Sequence, residues 1–260
     1  MSFTPILEKD VSNWTDEKDV LVVGFGGAGA CAAIEANDNG ASVAIFEAAS
    51  ESGGSTKLSS AELYLGGGTK VQKAVGYEDS VEDVYGYLMD SNGPQADPAK
   101  VRAYAEGGAA HLDWLMELGV PFKMSEYSQR AMMALTDDCL LYTGSEKAWP
   151  YAEKYGHAPR GHNLYVEGDN GGPLFVKIIT EAVEKRDIDV HIEARALRLI
   201  VDSYGPEQRV VGLVVRENME ERCYRANKGV VLCAGGFVMN PEMMQQYAPD
   251  LAKATTVPIG

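Results

Sequence analysis

Along the chain, apolar and polar positions sort into two rhythms. Val20, Leu21, Val22 and Val23 form an unbroken apolar run, the pattern of a strand covered on both faces as in a parallel sheet. A glycine-rich turn follows, Gly24-Phe25-Gly26-Gly27-Ala28-Gly29, and then a run of small residues from Ala30 to Ala36 that reads as a helix able to lie close to that strand. Residues 42–46 give a second strand, which ends at Glu47. From residue 80 the rhythm turns helical. Ser80 followed by Asp83 marks one helix start, and Asp97-Pro98 marks another, since proline suits the first helical position. In that second helix Leu112, Leu115 and Met116 recur at helical spacing, with His111 and Trp114 expected in or beside the stripe, and Gly119 with Pro121 ends it. Residues 121–172 are irregular and rich in Tyr, Gly, Pro and charge, and an ordered loop of that length is usually functional. Helical spacing returns over 173–186. Residues 189–192, 197–201 and 210–215 read as strands, and 229–233 is a buried strand ending in Ala234-Gly235-Gly236. Strands and helices in this alternation predict an α/β fold.

The glycine turn of the first unit carries chemistry. Gly24 permits the tight turn, Gly26 lets backbone approach a pyrophosphate, and Gly29 allows close packing of helix on strand. The helix start offers N–H donors and a partial positive charge to phosphates. Glu47 lies 18 residues beyond Gly29, the spacing at which an acid meets the ribose hydroxyls of an adenine dinucleotide. An acid at that place, rather than an arginine, argues against a 2′-phosphate.

Bulk composition narrows the partners. The 260 residues carry 38 acidic and 23 basic side chains, a formal net charge of −15, with no Lys/Arg cluster to override it, which excludes a nucleic-acid partner. No apolar run reaches the roughly 20 residues of a membrane helix, and no secretion signal is visible, so a cytoplasmic location is expected. Cys31, Cys139, Cys223 and Cys233 are widely spaced, with no metal-ligand pattern, and read as buried reduced thiols.

Beyond Glu47 the chain makes a second glycine turn, Gly53-Gly54-Ser55-Thr56, instead of another strand and helix. Several glycine turns and a late Ala-Gly-Gly strand end suit one long ligand. The segments VLVVGFGGAGACAAIEA (20–36), GGST (53–56), YLGGGT (64–69), APRGH (158–162) and GVVLCAGGFVMNPEMMQQYAPDL (229–251) resemble the FAD-dependent fumarate reductase/succinate dehydrogenase flavoproteins, a group that includes the 3-ketosteroid dehydrogenases. YLGGGT, GYEDSVEDVYGYL (76–88), DWLMELGVPFK (113–123) and LLYTGSE (140–146) look most like the Δ4-(5α) branch.

The resemblance implies a Rossmann-like FAD-binding domain with a parallel sheet, a small β-meander and helical insertions. It implies an N-terminal extension over 1–18, the FAD-binding domain over 19–256, and the start of a substrate-capping domain at 257–260, with the chain as the N-terminal portion of a longer enzyme. Gly24, Gly26, Gly27, Ala28 and Gly29 would then hold the pyrophosphate and Glu47 the ribose. Gly53, Gly54, Ser55, Thr56, Ser59, Ser60 and Ala61 would line the flavin, Ala196 the adenine, and Ala234 and Gly235 the ADP portion. No histidine follows the second glycine turn, which implies non-covalent FAD. At the position where the dicarboxylate reductases carry a histidine before a proline stands Val257, which favours a small apolar substrate such as a steroid over fumarate or urocanate. Tyr142, Arg160 and His162 are the candidate catalytic residues in the chain, with Tyr142 expected to face the flavin ring; no residue is assigned to a metal, and the electron acceptor is left open.

Overall fold

The computed structural model describes residues 4–129, 134–168 and 170–254. Val257, and with it the expected start of a further domain at 257–260, lies outside the described residues. The chain divides into two compact units, Met1–Leu58 with Ile179–Gly260, and Ser59–Ile178.

The first unit holds a seven-stranded mixed sheet. Its strands are β1 (Ile6–Leu7), β2 (Asp16–Val23), β3 (Val43–Phe46), β7 (Ile188–His191), β8 (Arg195–Val201), β9 (Val210–Glu217) and β10 (Glu220–Leu232), in the order β1-β8-β9-β10-β2-β3-β7. β2 lies parallel to β3 and to the second half of β10, and β3 lies parallel to β7. Leu21, Val22, Val43, Ala44, Ile45 and Phe46 are buried, as an apolar run without alternation requires. Helix α1 (Gly27–Asp38) packs on this sheet through Ala30, Ala33 and Ile34. β8, β9 and β10 form the antiparallel meander.

Two features depart from the local pattern. Residues 4–18 are not a free arm, because β1 adds to the sheet edge beside β8 and Ile6, Val11 and Trp14 pack on Ile200, Val211 and Val214. β10 runs 13 residues rather than the few apolar ones at its end. Glu220 to Arg225 pair with β9 and Tyr224 to Leu232 with β2, so Tyr224 and Arg225 pair on both sides, and the pairing with β2 shifts register between Ala226 and Gly229.

The second unit contains α3 (Lys70–Val75), α4 (Val81–Asn92), α5 (Pro98–Glu117) and a three-stranded sheet of two-residue strands, β4 (Leu63–Tyr64), β5 (Leu140–Leu141) and β6 (Gly161–His162), in the order β4-β6-β5. The expected helix starts are present. Ser80 Oγ accepts the Asp83 N–H at 3.0 Å, and Asp97 Oδ1 accepts the N–H groups of Ala99 and Lys100. Val71 of α3 and Leu112 of α5 pack with Leu65 and Leu140 into one core. His111 is exposed on α5, its ring stacked on Trp114. Helix α7 (Gly171–Glu184) carries the chain back into the first unit.

Candidate functional site

A cleft of about 520 Å³ opens in the first unit where β2, β3 and β10 end. Its lining includes Gly24, Gly26, Gly27 and Ala28 from the first glycine turn, Glu47 and Ala48 after β3, and Gly54, Ser55 and Thr56 from the second turn. Ala194, Arg195 and Ala196 come from the start of the meander, and Cys233 to Gly236 from the end of β10. Of the residues expected to hold a dinucleotide, Gly24, Gly26, Gly27, Ala28, Glu47, Gly54, Ser55, Thr56, Ala196, Ala234 and Gly235 meet here.

The three glycines of the first turn differ in what constrains them. Gly24 has φ +96°, and a Cβ there would collide with the Cys233 carbonyl. A Cβ on Gly29 would collide with the Gly24 carbonyl, so this glycine seats α1 against the turn. A Cβ on Gly26 would meet only ordinary contacts, at 3.7 Å, from Gly53 O and Thr56 Oγ1. Protein packing therefore demands glycine at 24 and 29 but not at 26, where the space belongs to the cleft.

The second turn is tied to the first. Gly53 N–H donates to Phe25 O at 2.8 Å, and Thr56 Oγ1 accepts the Gly27 N–H at 3.1 Å. That leaves the next N–H groups of the first turn of α1, at Ala28 and Gly29, without intrahelical acceptors by the geometry of any helix start. Glu47 is fixed as well: Oε2 accepts the Phe25 N–H and Oε1 the Ala49 N–H, each at 2.7 Å. Its backbone bonds to His191 and Ala194, which brings the start of β8 to the same cleft. Donors at a helix start, a cradle with room for backbone approach, and a carboxylate fixed with lone pairs to spare fit the ADP half of a dinucleotide.

Other expected residues belong to the second unit. Ser59, Ser60 and Ala61 are among them, and there Ser59 O accepts the Gly172 N–H and Ser59 Oγ the Ala61 N–H. Tyr142 donates its hydroxyl to the His157 carbonyl, with Lys147 Nζ 3.6 Å from its ring centroid. Arg160 and His162, the other two candidate catalytic residues, are fully buried in a polar staple. Arg160 donates to Asp79 Oδ1 at 2.8 Å and Oδ2 at 3.1 Å, and Asp79 Oδ2 also accepts the N–H of Gly67 and an Nε2–H of Gln72. His162 Nδ1 lies 2.9 Å from Arg160 O and Nε2 lies 2.9 Å from Thr69 Oγ1. Burial drives its imidazole down to about 4, so the ring is neutral, with Nδ1–H donating and Nε2 accepting. The YLGGGT and APRGH segments thus clamp each other through Arg160 Nε and Nη2 and both ring nitrogens of His162, while Arg160 Nη1 is buried with no hydrogen-bond partner.

The sequence did not single out Ala194, Arg195 or Cys233. Cys233 and its neighbours could be read from the strand end, whereas Arg195 gains its place only through the meander. Cys139 alone of the four thiols is buried; the others are partly exposed. Among the described residues no group of three or more His, Cys, Asp or Glu could hold a metal, and no helix is long and apolar enough to cross a membrane.

A family model described as "FAD binding domain" matches residues 19–259. The urocanate reductase of Eggerthella lenta is 29% identical over 238 residues, 91% of this chain and 34% of that protein. The 3-oxo-5-alpha-steroid 4-dehydrogenase of Comamonas testosteroni is 29% identical over 210 residues, 79% of this chain and 38% of that protein. Among solved structures, the 3-ketosteroid-Δ4-(5α)-dehydrogenase of Rhodococcus jostii, in complex with 4-androstene-3,17-dione, superposes with a TM-score of 0.92 at 38% identity over 97% of this chain and 53% of that one. The chain spans little more than a third of the length of these curated relatives.

Proposed function

This chain belongs to the FAD binding domain family, and from that premise we propose that it holds FAD non-covalently in an oxidoreductase acting on a carbon–carbon bond next to a ketone in a 3-ketosteroid-like substrate. The observation that carries the cofactor half is the cradle at Gly26, where a side chain would be tolerated by the protein yet occupy the cleft. Bound flavin supplies hydride transfer, chemistry that is its own. The chain's part is to bind and orient. Ala28 and Gly29 would offer N–H groups to the pyrophosphate, Glu47 would accept from the ribose hydroxyls, and Ala196 would line the adenine. Ala234 and Gly235 would hold the ADP portion, and Gly53 to Thr56 would lead toward the flavin. No histidine stands between residues 53 and 62 to form a covalent link.

The steroid half rests on likeness to the Rhodococcus jostii dehydrogenase and on Val257 in place of a histidine. The reading assigns no proton transfer to Arg160, a permanently charged guanidinium paired with Asp79, to His162, whose two ring nitrogens are bonded within the staple, or to Tyr142, whose hydroxyl is bonded to His157. Enoate reduction is the second reading, favoured by the equal identity to the urocanate reductase.

Reconstitution with FAD, followed by dye-coupled assays with a 3-ketosteroid, fumarate and urocanate, tests this. The expected result is a yellow protein that releases its flavin on denaturation and turns over only the steroid. Turnover of an enoate alone would replace the steroid reading. A yellow protein inactive with all three would leave the cofactor half standing and make the chain a cofactor-binding portion. Failure to take up FAD would sink the reading as a whole.

A further inference from the structure

The cleft carries an arginine that the protein itself does not neutralise. Arg195, the first residue of β8, lines the cleft and is exposed. Directly opposite it across the antiparallel pair stands Arg216 of β9. Like charges facing each other on neighbouring strands are destabilising unless an anion lies between them. The register shift between Ala196 and Arg198 puts a third arginine on the same face, since Arg198 pairs with Val214, two residues from Arg216. One carboxylate, Glu221 of β10, is opposite Arg216, but it bonds Arg198 at 2.6 Å. Among the described residues neither Arg195 nor Arg216 has a side-chain ion pair or hydrogen bond. Glu47, the carboxylate of the cleft, is engaged by the N–H groups of Phe25 and Ala49. In a chain with 38 acidic and 23 basic side chains, an unmatched arginine lining a cleft with a second unmatched arginine opposite it on the next strand is conspicuous.

We propose that Arg195, reinforced by Arg216, is a binding residue for the anionic ADP moiety of the cofactor. This rests on the FAD reading above and adds to it a charge contact made by a side chain rather than by backbone. The guanidinium is permanently charged and weakly hydrated, which suits it to a phosphate group at a partly open rim. It also offsets the repulsion that the acidic protein exerts on an anionic ligand.

The test is titration of the protein with FAD and with ADP, each at low and high salt, for the unaltered chain, Arg195→Gln, Arg195→Lys and Arg216→Gln. Expected are an affinity loss of about tenfold for both ligands in Arg195→Gln, partial rescue in Arg195→Lys, a smaller loss in Arg216→Gln, and a flatter salt dependence in both Gln variants. Melting temperatures of the ligand-free Gln variants should equal or slightly exceed that of the unaltered chain, since neither side chain bonds the protein and each change removes one of two facing like charges. If the unaltered chain binds both ligands and Arg195→Gln binds them within twofold at both salts, the Arg195 inference fails and the FAD reading stands. If the unaltered chain binds neither FAD nor ADP, the FAD reading itself fails.

Discussion

Gly24 and Gly26 are two residues apart and are constrained by different things. Gly24 sits at positive φ with the Cys233 carbonyl where a Cβ would go, so Gly24→Ala strains the backbone and displaces the end of β10. Gly26 has room for a methyl as far as the protein is concerned. The expected outcome is that Gly24→Ala lowers stability by about 1–3 kcal/mol. Gly26→Ala should leave the melting temperature within about a degree while weakening FAD at least tenfold. Thermal unfolding and FAD titration of the two variants separate the effects, and equal losses of stability would contradict the assignment. Both glycines were legible from spacing alone. What spacing could not reveal is which of them serves the fold and which the ligand, because that depends on Cys233, some two hundred residues away in the chain.

At the scale of elements, most of what a window of the sequence can encode was legible. The buried runs became β2 and β3, and Ser80 and Asp97 capped α4 and α5. The three-stranded sheet of the second unit was not legible, because two-residue strands have no period to read. Its neighbourhood is instead held by the Asp79–Arg160 pair, whose side chains are 1% and 0% exposed. Removing one partner of a buried pair strands the other charge. Asp79→Ala is expected to cost about 3–5 kcal/mol, more than an exposed pair such as Lys253–Asp250 contributes. The double variant Asp79→Ala/Arg160→Met should recover part of that loss. Denaturant unfolding of the single and double variants checks this, and a single-variant cost below about 1 kcal/mol would mean the pair does not staple the glycine turn.

For the molecule as a whole, acid is the informative stress. His162 is buried and its folded-state value is pushed down to about 4, below the 6.5 of a free histidine. The unfolded chain therefore binds a proton between those values that the folded chain refuses. The stability contribution is complete above pH 6.5 and is lost as the pH falls toward 4, by about 3 kcal/mol in all. The slope of stability against pH over that window should be shallower in His162→Gln than in the unaltered chain. Equal slopes would place a titrating group other than His162 in control.

The sequence by itself determined the pieces whose physics is local: apolar runs long enough to be buried strands, capped helices, and a glycine turn opening a small-residue helix with an acid at ribose distance. Those features depend on neighbours a few residues apart, and a chain carries them wherever it folds. Tertiary structure alone decided the rest. It buried Arg160 and His162 among Asp79, Thr69 and backbone carbonyls. It also set Arg195 in the lining of the cleft, opposite Arg216 on the neighbouring strand. Burial and charge pairing are properties of who stands beside whom after folding, and those partners are far apart in the sequence.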